Sequence, residues 1–138
     1  MSFREKSAWI SLISILLVSV FFFLHVPWSL RPSTSPELVH ALLVCAIALV
    51  VIEGVAHLVV ARRAPLDARA PKDERERLID LKAVRASHYV YLAGSLASVS
   101  TLHIGANGVA IGYGVLLAFV VAGVVNNAAK IVYHRRGV

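Results

Sequence analysis

Apolar residues fall in four long blocks, at about 8–25, 38–61, 86–104 and 109–132, and polar or charged residues fill the gaps between them. Each block is close to the roughly 20 residues that an α-helix needs to cross a bilayer. None of them alternates apolar and polar positions as a lipid-facing barrel strand does, which leaves helices as the spanning element. The pattern therefore predicts an all-α fold: a four-helix transmembrane bundle forming one membrane domain over residues 1–138. Its linkers are too short to build a second core.

The breakers punctuate this pattern. Residues 27–36 contain three prolines and read as an irregular cap, with Trp28 at one membrane interface. Residues 64–71 form a linker that ends at Pro71. A helix is expected to start there, with Asp73, Glu74 and Glu76 in the first turns, where the helix dipole favours acids. No breaker follows before Gly94, so a cytoplasmic helix over about 72–85 should run directly into the third span. The Gly-Ala-Asn-Gly of 105–108 is a tight turn and makes spans three and four an antiparallel hairpin. Gly94 with Ser98, and Gly108 with Gly112, have the small-residue spacing that lets helices approach closely.

Composition agrees with this reading. Hydrophobic residues make up 58% of the 138 positions and the mean hydropathy is +0.74, well above soluble globular domains. The net charge of +6 would suit a nucleic-acid partner if it were spread over one face. Instead, all fourteen Lys and Arg except Arg31 cluster before span one, between spans two and three, or at and beyond the end of span four. By the positive-inside rule both termini and the middle loop are then cytoplasmic. No nucleic-acid partner is expected, and the location is the cytoplasmic (inner) membrane of a bacterium or archaeon. The first block lacks a small-residue cleavage site, so it is read as a retained span and not a signal peptide. Cys45 is the lone cysteine, which excludes an intrachain disulfide or a CxxC metal site.

Candidate chemistry begins at Glu53, an ionisable residue inside the second apolar block and costly enough there to mark a site. His57 lies one helical turn on, on the same face. Counting 1.5 Å per residue from the cytoplasmic ends puts His88 of span three, and Asn126, Asn127 and Lys130 of span four, in the same slab of the inner leaflet. Tyr91 and Ser95 extend the His88 face. These residues are expected to form a ligand or proton site, or a structural network in which Glu53 pairs with Lys130 or Arg85. The imidazoles and carboxylate of Glu53, His57 and His88 suggest metal or haem ligation as a further alternative, without the HExxH arrangement. His25, His40 and His103 form a second candidate metal group near the outer rim. Arg75, Arg77, Lys82 and Arg85 are candidate contacts to anionic lipid headgroups or a partner.

The junction Asp73-Glu74-Arg75-Glu76, with Ile79, Lys82, Ala83, Arg85, Ser87 and Tyr89, resembles a family of small four-helix bacterial and archaeal integral membrane proteins. That family carries D-E-R-E-x-x-I-x-x-K-A-x-R-x-S-x-Y before its third helix. The resemblance implies the four-span fold and the membrane location, and no particular activity.

No nucleophile with a partnered base and no phosphate-cradling loop is present, so an enzyme is not expected. The expected function is an interaction or regulatory module with a polar intramembrane pocket. The alternative is a proton-coupled transporter of a small molecule or ion that uses Glu53, working as a homodimer because four short helices enclose little pathway alone.

Overall fold

The structure, a computed structural model, describes residues 3–25, 36–63, 65, 71 and 73–136, without the side chains of 25, 36–39 and 41. The described residues form four long helices: α1 (Phe3–His25), α2 (Pro36–Arg63), α3 (Glu74–Ser100) and α4 (Gly108–Arg136). The cap at 27–35, including Trp28, and most of the 64–71 linker lie outside the described residues.

The helices extend beyond the apolar blocks because charged residues at their ends continue the same backbone ladder. α3 starts at Glu74, three residues after Pro71, and Asp73 is its N-cap: the Glu76 amide donates to Asp73 Oδ1 at 2.6 Å. This satisfies one of the four amides that a helix start leaves without partners. From Glu74 the helix runs unbroken to Ser100 and tightens into a short 3-10 turn, Thr101–Ile104. Gly105, at φ 82°, then reverses the chain in the left-handed region that glycine tolerates. Asn107 caps α4 by accepting from the Ala110 amide at 2.8 Å.

Three helices, α1, α2 and α4, are long and apolar enough to cross a membrane. α3 falls short of the four expected spans because charged side chains fill its first half.

Packing follows the order α2–α1–α4–α3: the principal contacts are α3 with α4, α1 with α4 and α1 with α2. α2 and α3 are not among the principal contacts, so α2 is joined to the others chiefly through α1. The tightest approach is between α3 and α4, where a methyl group on Gly94 would lie 2.7 Å from Ala118 Cβ and one on Gly114 would lie 2.5 Å from Ser98 Oγ. The small residues used on α4 are thus Gly114, Ala118 and Ala122. Gly108 and Gly112 have nothing within 4 Å of the same position, because they lie on an unpacked face. At the other end of this interface Ile79 and Ala83 are 1% and 0% exposed.

Candidate functional site

The antiparallel order brings the start of α1, the end of α2, the start of α3 and the end of α4 together at one end of the molecule. Among the described residues, three ion pairs tie that end together. Arg4 Nε lies 2.9 Å from Glu76 Oε2, Arg135 Nε 3.0 Å from Glu5 Oε1, and Lys130 Nζ 3.3 Å from Asp80 Oδ1. Each joins two different helices, α1–α3, α1–α4 and α3–α4. Glu5 is only 7% exposed, and a charge so placed needs a partner to offset its lost hydration. Arg135 also stacks over Trp9, 5.7 Å from the ring centroid.

Two of these pairs, Arg4–Glu76 and Lys130–Asp80, line a cavity of about 260 Å³ together with Ser7, Ser11, His57, Asn127 and His134. Ser11 Oγ approaches His57 Nε2 at 3.4 Å, linking α1 to α2. Asn127, 8% exposed, donates from Nδ2 to the Gly123 carbonyl at 3.0 Å and so caps its own helix wall. The cavity is polar, with both charge signs and two imidazoles, and has room for water or a small polar solute.

A second polar region lies deeper. The pairs Asp80–Lys130, Gly94–Ala118 and Ser98–Gly114 set the α3–α4 register, so His88 comes level with Gly123. Gly123 in turn faces Ile15 of α1, and counting one turn back from the Ser11–His57 contact brings Glu53 to about this same level. An open groove of about 410 Å³ between α3 and α4 runs here, lined by His88, Tyr91, Phe119 and Asn126 among others. Tyr91 and Phe119 meet edge to face at 6.3 Å. Asn126 Oδ1 is buried without a hydrogen bond.

Glu53 is half-buried and has no hydrogen bond or ion pair among the described residues. Its orientation follows from its neighbours one turn away on the same face. Leu49 lines an apolar crevice with Phe119 and Val120 of α4; His57 lines the inner cavity with Asn127 and Lys130. Glu53 therefore sits on the α4-facing side of α2.

The slab read from the sequence is thus divided. His57, Asn127 and Lys130 line the inner cavity, His88, Tyr91 and Asn126 line the groove, and Glu53 lines neither. Lys130 pairs with Asp80 and not with Glu53, because α3 packs directly on α4 while α2 reaches the bundle chiefly through α1. Arg85 lies over the Tyr89 ring at 5.9 Å, not near Glu53, and Lys82 lies over Tyr133 at 6.0 Å. Arg75 and Arg77 are exposed. Among the described residues no three His, Cys, Asp or Glu side chains converge as metal ligands. His57 and His88 line different cavities, while His40 and His103 are exposed. The side chain of His25 lies outside the described residues.

Sequence reasoning missed Arg4, Glu5, Glu76 and Asp80. The signal was present: Glu76, Ile79, Asp80 and Ala83 recur at helical spacing, so the two acids share the face that the buried Ile79 and Ala83 turn to α4. No family model, no curated protein and no solved structure matches this chain.

Proposed function

We propose that this is a multi-pass protein of a bacterial or archaeal inner membrane, acting as an interaction or regulatory module around a polar pocket at its cytoplasmic end. One observation carries the reading: ion pairs join α1, α3 and α4 at this end, and two of them, Arg4–Glu76 and Lys130–Asp80, line the inner cavity. Such pairs fix helix positions, as a scaffold requires. The concentration of basic residues at this end supports a cytoplasmic placement. α3 supports a fourth crossing through its apolar half and the 3-10 turn, and its motif supports kinship with the small four-helix membrane family. On its outer surface, the exposed Arg75, Arg77, Lys82 and Arg85 suit anionic lipid headgroups or an acidic partner, at about 1 kcal/mol per basic group near the surface.

Two measurements test this. In a Cys45→Ala background, His103→Cys should label from outside intact cells and Arg75→Cys only after lysis; the reverse pattern removes the topology. In nanodiscs, replacing Arg75, Arg77 and Lys82 together with Gln should weaken the salt-dependent capture of anionic lipid. Unchanged capture removes the headgroup role.

A proton-coupled carrier, working as a homodimer, is the second reading, and the observation that favours it is the unpartnered carboxylate of Glu53. It requires wild-type proteoliposomes to take up protons along an imposed gradient faster than Glu53→Gln proteoliposomes. Equal rates remove it.

A further inference from the structure

We infer that Glu53 and the α3–α4 groove form one binding site for an amphipathic organic cation bearing an ammonium group. This goes beyond the inner-end cavity and its ion pairs, and it requires no transport.

Three separate features of the groove and its surroundings ask for the same ligand. The first is charge. A carboxylate within an apolar span must gain a cationic partner or a proton, and Glu53 has no cation beside it among the described residues. The nearest candidate from the sequence, Lys130, is already paired with Asp80. The second is Asn126 Oδ1, buried without a hydrogen bond. An amide oxygen accepts only, so what is missing is a donor, and an ammonium N–H supplies one. The third is the Tyr91–Phe119 pair, whose edge-to-face arrangement leaves a ring face for a cation.

Phe119 joins these features spatially. It lines the α3–α4 groove with Tyr91 and Asn126, and it also lines the apolar crevice of about 240 Å³ with Leu49, one turn from Glu53 on α2. A ligand whose charged head sits between Glu53 and Asn126 can thus lay an apolar tail along Phe119 into the crevice. An anion would meet an unpaired carboxylate and an unpaired amide oxygen, both unfavourable. A neutral apolar molecule would leave both polar groups unsatisfied.

The ammonium could belong to a free amine or to a zwitterionic phospholipid such as phosphatidylethanolamine, and the test separates them. The full-length protein is placed in nanodiscs of phosphatidylglycerol. Binding of 4-phenylbutylammonium, whose N–H groups can donate to Asn126 Oδ1, is compared with that of pentylbenzene, its neutral isostere with CH3 in place of NH3+, with empty nanodiscs as the blank. The wild type should bind the cation at least about tenfold more tightly, because a desolvated charge pair is lost with the isostere. Glu53→Gln should abolish this preference. Phe119→Leu, which keeps bulk but removes the ring, should reduce it severalfold. Helicity and elution volume check that each variant is folded. Adding phosphatidylethanolamine then assigns the source: a lower apparent affinity for the probe identifies the lipid headgroup as the resident, and an unchanged one identifies a free amine. Equal binding of cation and isostere by the wild type would overturn the proposal, as would a preference that survives in both variants.

Discussion

The α3–α4 hairpin and α2 are built from similar apolar residues, yet they are held in opposite ways. α3 and α4 meet through small residues, with Gly94 against Ala118 and Ser98 against Gly114, so their backbones approach closely. Below that contact Ile79 and Ala83 are fully buried and Asp80 meets Lys130. Among the described residues α2 joins the rest chiefly through α1, has no buried residue across its apolar span and carries in Glu53 a carboxylate without a partner. In a bilayer, apolar surface alone does not drive helices together, since lipid solvates it equally well. Close packing and polar pairing do, and the hairpin has both while α2 has little of either. α2 is therefore the less tightly held helix, and the hairpin is the frame of the molecule.

Substitutions should sort along the same line when reversible unfolding is measured in mixed micelles. The largest loss is expected for Ile79→Ala, about 2–5 kcal/mol, because it empties the most deeply buried large side chain of the frame. Gly94→Ala should cost roughly 1–3 kcal/mol, since the added methyl would meet Ala118 at 2.7 Å. Gly112→Ala on the same hairpin should have the opposite sign. With open space around it, it should gain about 0.5–1 kcal/mol from helix propensity. Leu58→Ala, on the exposed side of α2, should change stability by less than about 0.5 kcal/mol. If Leu58→Ala costs as much as Gly94→Ala, α2 is packed as tightly as the frame and the contrast fails.

The sequence made the four helices legible because hydrophobic block length and breaker position are local signals. The turn at Gly105 and the cap at Asn107 were readable for the same reason. Side-chain depth follows from rise per residue and is open to the same local reading. Azimuth is not. Which faces meet depends on helix order, and α3 packing directly on α4 pairs Lys130 with Asp80, although depth alone suggested Glu53. The acids of the inner cavity were hidden for a different reason. In a run as charged as Asp73–Lys82, Glu76 and Asp80 look solvated like their neighbours, and only the buried Ile79 and Ala83 show that their side of the helix turns inward. The small-residue signal was half legible, since Gly94 and Ser98 are used while Gly108 and Gly112 are not.

The contrast between a paired frame and an unpaired helix is tested most directly by comparing thermal unfolding of Asp80→Asn and Glu53→Gln in the same nanodiscs without added amine. Asp80→Asn leaves Lys130 half-buried without its carboxylate and should lower stability, by roughly 1 kcal/mol after allowance for solvent screening. Glu53→Gln removes a charge that has no partner and should leave the melting temperature unchanged or raise it. A Glu53→Gln protein that melts as low as Asp80→Asn, or lower, would mean that Glu53 is a structural partner, and the division between frame and α2 would be contradicted.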